Sequence, residues 1–193
     1  MVKIANFKKS LEIPKGVKVN IEGNNLITIK GPNGGPITKN FSHARGIKIS
    51  IEENKIVFTS HFPRTNTLAL GKTIINIIDN LITGVLTPYK YISKICYSHF
   101  PFSVRVDTNK KILYVDNFLG ERAPRKAKIE ENVKVEIDGD DVILIGSDKE
   151  TLGQTAANLK KTCKIRKKDP RVFQDGVYVY KKQIGNEIIW QIK

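Results

Sequence analysis

The chain has 193 residues, 40% of them hydrophobic, which is enough to bury a core in one or two domains and argues against a disordered protein. Its 33 Lys and Arg residues outnumber its 19 Asp and Glu residues, and the net charge of +14 favours a polyanionic partner such as nucleic acid. A soluble basic protein without such a partner is the alternative that charge alone leaves open.

Cysteine usage and hydropathy indicate the compartment. Cys96 and Cys163 have no metal-ligand spacing, which argues against a zinc site or a disulfide framework and favours a reducing compartment. The first six residues lack the apolar region of a signal peptide, and no uninterrupted apolar run reaches the length of about eighteen residues that a membrane span needs. We therefore expect a cytoplasmic protein without a membrane partner, a metal or another cofactor.

Apolar residues alternate with polar ones in residues 17–29 and 47–58 of the first half and in residues 104–115 and 133–144 of the second half. Such period-2 alternation predicts strands with one buried face, and each stretch predicts an antiparallel hairpin. The turn sequences include Glu22-Gly23-Asn24-Asn25, Glu53-Asn54 and Asp138-Gly139-Asp140-Asp141.

Two further segments have apolar residues at spacings of 4, 3 and 4, which are Leu70, Ile74, Ile77, Leu81 and Leu152, Ala156, Leu159, Cys163. Each spacing predicts a helix whose apolar stripe packs on a sheet. Gly84 is expected to end the first helix. The sequence Ser147-Asp148-Lys149-Glu150 is a candidate capping box for the second helix.

The two halves of the chain match each other. Ile27 aligns with Leu113 at an offset of 86 residues, and the segments 70–76 and 152–158 are nearly alike. The sequence therefore predicts an α+β fold of two tandem duplicated domains, each an antiparallel sheet with a helix packed on one face. We place the first domain at residues 1–84 and the second, with a basic C-terminal extension, at residues 85–193. A strand is expected at residues 177–180, while the apolar run at 188–190 has no predicted place.

The densest group of cations begins on the second predicted helix and continues past its end. Its members are Lys160, Lys161, Lys164, Arg166, Lys167, Lys168 and Arg171. Lysines at a helix C-terminus also complement the helix dipole, but seven cations in twelve residues exceed that need. We predict that this group binds RNA phosphates.

A second group of cations lies between the two hairpins of the second domain, where Gly120 and Pro124 predict a mobile loop. We expect it to follow an irregular RNA backbone. Its members are Arg122, Arg125, Lys126 and Lys128. The alternative to a loop that follows RNA is that the ring of Phe118, in the same segment, anchors the loop to the core.

Cations and tyrosines alternate near the domain boundary, at Tyr89, Lys90, Tyr91, Lys94 and Tyr97. This pattern suits stacking on bases while the lysines hold phosphates, so Tyr89 and Lys90 are candidate RNA-binding residues. A strand that packs its tyrosine rings on a core explains the pattern equally well.

The sequence contains no recognisable catalytic motif. The histidines His43, His61 and His99 form no nucleophile or metal-binding pattern, and the acidic residues fall mainly in predicted turns. We expect no enzyme activity, no catalytic residue and no small-molecule substrate. An enzyme would have to use His99 and Glu121 as its acid–base pair.

Four motifs give the chain a resemblance to a known family. They are Ile29-Lys30-Gly31-Pro32-Asn33-Gly34, Tyr97-Ser98-His99-Phe100-Pro101, Asn117-Phe118-Leu119-Gly120-Glu121 and Lys168-Asp169-Pro170-Arg171-Val172-Phe173-Gln174-Asp175-Gly176-Val177-Tyr178-Val179. With these motifs the chain resembles, over nearly its whole length, the universal large-subunit ribosomal protein six family in its archaeal and eukaryotic branch.

The resemblance implies a duplicated fold, no enzyme activity and one copy per ribosome, with large-subunit ribosomal RNA and neighbouring ribosomal proteins as partners. It also implies that residues 122–128 and 160–171 bind this RNA near the docking region of translational GTPases, beside the sarcin–ricin loop. An RNA-binding or RNA-chaperone module that acts outside the ribosome is the alternative. The resemblance supplies no role for the tail at residues 183–193.

Overall fold

The computed structural model describes residues 5–23, 25–169 and 171–192. Asn24 of the first predicted turn, Pro170 of the fourth motif and the first four residues, where no signal peptide is expected, lie outside the described residues. The chain divides into two compact units, Met1–Thr87 and Pro88–Lys193. The division falls at Thr87, three residues after the boundary placed from the sequence, because the first helix extends further than expected.

The first unit contains six described strands and one helix. They are β1 (Asn6–Glu12), β2 (Lys18–Glu22), β3 (Leu26–Gly31), β4 (Gly34–Asn40), β5 (Lys48–Glu52), β6 (Lys55–His61) and α1 (Thr65–Leu86). One antiparallel sheet has the order β2-β3-β4, and the other has the order β1-β6-β5. Both sheets and α1 contribute to a single core, in which Ile29, Phe58 and Ile78 are fully buried.

The second unit contains eight described strands, one 3-10 turn and one helix. They are β7 (Tyr89–Cys96), β8 (Ser103–Asp107), β9 (Ile112–Asp116), the turn Phe118–Gly120, β10 (Arg125–Lys128), β11 (Val133–Asp138), β12 (Asp141–Gly146), α2 (Lys149–Thr162), β13 (Gly176–Ile184) and β14 (Glu187–Gln191). One sheet has the order β10-β9-β8, and the other has the order β11-β12-β7-β13-β14. The core includes Leu113, Leu144 and Leu152.

The two units repeat one topology. In each, the first strand pairs antiparallel with the sixth, β1 with β6 and β7 with β12. The matched residues Ile27 and Leu113 are both buried, at 1% and 0% exposure. The predicted α+β duplicated fold is therefore confirmed. The second unit adds the hairpin β13–β14 beside β7, and this hairpin contains both the predicted strand and the apolar run that the sequence left unplaced.

Both predicted helices form, but their ends differ from the prediction. α1 continues through the buried Gly84 and ends at Leu86, shortly before Pro88. α2 begins after Asp148, whose side chain accepts a hydrogen bond from the backbone N–H of Glu150. The N-cap is thus one residue later than Ser147, the first residue of the predicted capping box.

The buried faces of the helices follow the predicted stripes to different degrees. All four predicted positions of α2 are buried, from Leu152 to Cys163. In α1, Leu70 and Ile77 are only partly buried, because the stripe is centred on Ile74, Ile78 and Leu81.

The C-terminus of α1 is held by the turn between β3 and β4. The backbone N–H of Asn33 donates to the carbonyl oxygen of Val85 at 3.0 Å, and its side-chain amide donates to the carbonyl oxygen of Leu86. Gly31 lies so close to the helix that a Cβ there would be 2.7 Å from the Cβ of Val85. These contacts give the first motif a structural role as a turn. They also stabilise the last residues of α1, which follow Gly84.

α1 is long and apolar enough, by length and composition, to cross a membrane, although Lys72 and Asp79 interrupt its apolar sequence. Its buried side chains pack on the two sheets of the first unit, where Ile74 and Ile78 have almost no exposed surface. This packing is that of the central helix of a globular domain.

Candidate nucleic-acid interface

The densest group of cations lies where α2 ends. Lys160 and Lys161 occupy its last turn, where their charge complements the helix dipole. After the buried Cys163 the chain is irregular, and Lys167 has a positive φ of 60°. Because this segment leaves the helix, its cations face solvent; the exposed members are Lys164, Arg166, Lys167, Lys168 and Arg171.

The segment that the sequence predicts to be a mobile loop contains regular secondary structure. It consists of the 3-10 turn Phe118–Gly120, a short irregular segment, and β10, which pairs with β9. Phe118 is 1% exposed, and its ring meets the ring of Phe102 edge-on with centroids 5.1 Å apart. The structure confirms the alternative that Phe118 anchors this segment to the core.

Arg125 differs from the other predicted cations because protein atoms bind its guanidinium. Two of its nitrogens donate to the two carboxylate oxygens of Glu121, at 2.7 and 2.6 Å. A third donates to the carbonyl oxygens of Thr162 and Lys164 at 2.8 and 3.0 Å, which caps the C-terminal end of α2. Its hydrogen bond with Glu121 raises the pKa of Arg125 and lowers that of Glu121. The guanidinium is therefore not free to bind phosphate as predicted.

The segment after α2 and the start of β10 border one open groove of 680 Å³, which we call the basic groove. Its lining residues are Leu119, Glu121, Arg125, Lys126, Lys161, Thr162, Lys164, Arg166 and Lys168. Of the described residues that line it, Glu121 is the one carboxylate, and it is already paired with Arg125. Five other cations thus give the groove a positive charge, and they come from both basic stretches that the sequence singled out.

A second cavity of 430 Å³ in the same unit was missed by the sequence analysis. Lys126 and Lys128 of β10 line it together with Lys110 and Lys111 from the turn between β8 and β9. The adjacent lysines after Asn109 were the available signal, but they belong to no larger run of charge. Lys128 is 3.5 Å from a carboxylate oxygen of Glu130.

The remaining predicted cations are exposed but do not line the basic groove. They are Arg122, Lys160, Lys167 and Arg171. The guanidinium of Arg171 donates to both carboxylate oxygens of Asp169, at 3.2 and 2.9 Å, which raises its pKa. Exposed ion pairs of this kind are weak, so Arg171 can exchange this partner for a phosphate.

The tyrosines near the boundary belong to the core. β7 lies between β12 and β13, and it buries Tyr89 and Tyr91 at 1% and 5% exposure. Lys90, between them, is half-buried. Burial raises the pKa of Tyr91. Tyr89 is therefore not available to stack on a base as predicted, and the alternative of a strand that packs its rings on a core is confirmed.

A buried carboxylate joins the second motif to the fourth. Asp175 accepts hydrogen bonds from the hydroxyl of Ser98 at 3.0 Å and from Nδ1 of His99 at 3.2 Å, and from the backbone N–H groups of both residues. Burial alone would raise the pKa of Asp175, but these hydrogen bonds outweigh it and hold the pKa below its usual value. The ring of His99 also stacks on Phe173, with centroids 4.2 Å apart.

The acid–base pair that an enzyme would need is not formed, because each member has another partner. The same nitrogen of His99 faces Ser98 and Asp175, whereas in a catalytic triad the serine and the carboxylate face opposite nitrogens. Glu121 is bound to Arg125. In the part of the chain that the structure describes, no three His, Cys, Asp or Glu side chains are placed to hold a metal ion.

Comparison with known proteins gives a consistent result over both units. The model of the family described as ribosomal protein L6 matches residues 13–87 and 100–176, one match in each unit. The large ribosomal subunit protein uL6 of Sulfurisphaera tokodaii is 46% identical over 187 residues, covering 96% of this chain and 98% of its own. The proteins of the same name from Methanobrevibacter smithii and Saccharolobus solfataricus are 45% and 42% identical, each covering 95% of this chain and at least 99% of their own.

Proposed function

The chain belongs to the ribosomal protein L6 family, and from this premise we propose that it binds large-subunit ribosomal RNA through the basic groove. It is a structural protein of the large ribosomal subunit in the cytoplasm, and its family consists of ribosomal proteins rather than enzymes. The observation that carries the proposal is the convergence of Lys126, Lys161, Lys164, Arg166 and Lys168 on one groove.

The chemistry of the groove suits a phosphate backbone. Each cation that neutralises a phosphate releases condensed counterions, which favours binding without reading the base sequence. Lys126 projects from a strand, whereas Lys161 belongs to the last turn of α2, and Arg125 holds these two elements together. The backbone positions of Lys126 and Lys161 are therefore set before RNA arrives, which reduces the entropy that binding costs.

The finer location on the subunit follows from the resemblance of the motifs. We infer that the second unit binds near the docking region of translational GTPases, beside the sarcin–ricin loop. The positions that match the family there are residues 122–128 and 160–171, and both contribute to the basic groove. A map of nucleotides crosslinked to Lys164 or Lys168 in purified large subunits tests this location, and crosslinks confined to distant helices of the RNA would refute it.

Other ribosomal proteins are expected as neighbours, and the tail offers a surface for them. β14 is an edge strand that exposes Ile188, Ile189 and Trp190 at 49%, 51% and 43%. Exposed apolar groups of this density are typical of protein contacts. One copy per ribosome remains the prediction for stoichiometry.

Charge reversal in the basic groove tests the proposed function. We expect Lys164→Glu with Lys168→Glu to lower incorporation of the chain into large subunits several-fold, because two phosphate contacts become repulsive. The matched control is Lys15→Glu with Lys18→Glu on exposed positions of the first unit, which changes the net charge equally. Incorporation is measured by sedimentation in high salt, and unchanged circular dichroism shows that each variant is folded.

The outcomes separate the proposal from its alternatives. An equal loss in both variants would mean that total charge, and not the groove, determines binding. RNA binding by the wild-type chain without co-sedimentation with large subunits would favour a module that acts outside the ribosome.

A further inference from the structure

A cavity of 540 Å³ opens beside the basic groove, between the C-terminal half of α2 and the start of β13. Its lining is mostly apolar, with Cys163, Ile165 and Val177, and it includes the buried carboxylate of Asp175, which Ser98 and His99 bind. Its volume is in the range of cavities that hold small ligands. Of the RNA contacts proposed above, Lys161 and Lys164 line this cavity, but the proposed contacts do not use its interior.

Aromatic side chains form one wall of the cavity and are fixed by their neighbours. The hydroxyl of Tyr178 donates to the carbonyl oxygen of Gln174 at 3.2 Å. The ring of Tyr178 lies against Gly176, where a Cβ would be only 3.0 Å from ring atoms. Phe173 is held by its stack on His99. Contacts within the protein therefore set the positions of both rings, and Nζ of Lys168 lies 4.3 Å from the centroid of the Phe173 ring.

Cations surround the opening of the cavity. Lys160, Lys161 and Lys164 line it, and Nζ of Lys160 lies 5.7 Å from the centroid of the Tyr178 ring. Lys161 and Lys164 also line the basic groove, so the cavity and the groove share two residues. A chain of phosphates in the groove would thus pass the opening of an apolar cavity with aromatic walls.

We propose that this cavity receives the base of one unpaired ribosomal RNA nucleotide, whose flanking phosphates lie on Lys161 and Lys164. The inference rests on the proposed function and deepens it, because it identifies which part of the RNA enters the protein. A mostly apolar interior, an aromatic wall and a cationic opening match a nucleotide, whose base is planar and whose backbone is anionic. An apolar protein side chain would suit the interior but would leave the lysines without a partner.

The test fills the cavity without changing charge. Ala157 is an exposed cavity-lining residue of α2, and Ala157→Phe places a ring in the cavity. Gln154→Phe is the control, because it adds the same ring to an exposed position of the same helix outside the cavity. Loss of one base–aromatic stack lowers affinity by about 5- to 150-fold. We expect this loss of affinity of the full chain for large-subunit RNA in Ala157→Phe and not in Gln154→Phe.

A second measurement needs no variant. Ultraviolet crosslinking of wild-type large subunits, followed by mass spectrometry, should attach a nucleotide to the peptide that contains Phe173 and Tyr178. A crosslink from this peptide to another protein would overturn the proposal, as would wild-type affinity of the folded Ala157→Phe variant. In either case the groove remains supported if Lys164→Glu with Lys168→Glu still weakens binding. If the wild-type chain binds no large-subunit RNA at all, the proposed function itself fails.

Discussion

Arg125 lies in the basic groove and is bound by protein atoms on several sides. Its guanidinium joins Glu121 to the last carbonyl groups of α2 and lies 4.4 Å from the centroid of the Phe118 ring. The side chain is 23% exposed, so these bonds are partly shielded from water. Arg125 is therefore expected to stabilise the fold, in contrast to the exposed cations around it.

Substitution of Arg125 should reduce stability more than substitution of a neighbouring cation. We expect Arg125→Ala to lower the free energy of unfolding of the second unit by about 2 kcal/mol, since hydrogen bonds to charged groups typically contribute that much. Arg125→Lys should recover little of this lost stability, because a lysine lacks the planar fork of the guanidinium. Urea denaturation measures both. The exposed Arg122→Ala is the control, with an expected change within about 0.5 kcal/mol, and an equal loss there would contradict the structural role of Arg125.

Asp175 should make the free energy of unfolding of the second unit depend on pH in the acidic range. Its pKa in the folded state is lowered from an unfolded value of about 3.9. A lowered folded pKa gives a contribution that is fully present above the unfolded value and is lost as the pH falls through the folded value. We expect Asp175→Asn to lower the free energy of unfolding by about 1–3 kcal/mol at neutral pH, and the difference from wild type to shrink below about pH 3.9.

Denaturation at a series of pH values tests this dependence on Asp175. Asp169→Asn is the matched control, because its carboxylate also has a lowered pKa but is solvent-exposed and should change stability much less. A difference between Asp175→Asn and wild type that stays constant down to strongly acidic pH would show that packing, and not charge, is the cause.

The type of a single residue predicted its role in the structure only in part. All seven cations at residues 160–171 are exposed, two of them in the last turn of α2 and five in the irregular segment after it. The roles of Arg125 and Tyr89 depend on which residues lie opposite them, 39 residues away in the case of the bond from Arg125 to Lys164. Such partners are set by the tertiary fold, which composition does not reveal.

Among the elements, α1 and the β3–β4 turn form the tightest described contact at a glycine. We expect Gly31→Ala to lower the free energy of unfolding by about 1–3 kcal/mol, because its new Cβ would lie 2.7 Å from Val85 and 2.9 Å from the carbonyl oxygen of that residue. Gly35→Ala is the control, since a Cβ there has no atom within 4 Å. Thermal unfolding of the full chain measures both, and equal effects would show that the helix end moves away freely.

The elements were more predictable than their ends. Period-2 alternation and the 4-3-4 spacings predicted strands and helices correctly, because burial of one face imposes both patterns. The prediction that α1 ends at Gly84 was wrong, because the contacts that hold the end of the helix come from Asn33, more than fifty residues earlier. In the second helix the stop near Thr162 depends similarly on Arg125, which binds the freed carbonyl oxygens.

Across the whole molecule, the two units have the same fold and different charge distributions. Residues 1–83 contain 12 basic and 5 acidic residues, and residues 84–193 contain 21 and 14, so each part has a net charge of +7. The last turn of α1 contains no basic residue, whereas α2 ends in Lys160 and Lys161. Equal net charge therefore does not imply equal RNA contact, because phosphate binding depends on how the cations are grouped.

The salt dependence of RNA binding distinguishes the effect of how the cations are grouped from the effect of net charge. Neutralising the five groove cations removes up to five phosphate contacts in the variant with Lys126→Gln, Lys161→Gln, Lys164→Gln, Arg166→Gln and Lys168→Gln. The slope of log affinity against log salt concentration should then become shallower by about 3.5 to 4.5, at 0.7 to 0.9 for each contact. Filter binding of the full chain to large-subunit RNA at several salt concentrations measures the slope.

The control neutralises the same number of charges on exposed positions of the first unit, in the variant with Lys15→Gln, Lys18→Gln, Lys30→Gln, Lys48→Gln and Lys72→Gln. Its slope should stay close to that of the wild type, because counterions are released only where cations meet phosphates. Identical slopes for the two variants would mean that the units share the RNA equally. A shallower slope for the groove variant alone would mean that, although duplication supplied two equal folds, the contact with RNA is concentrated in the second.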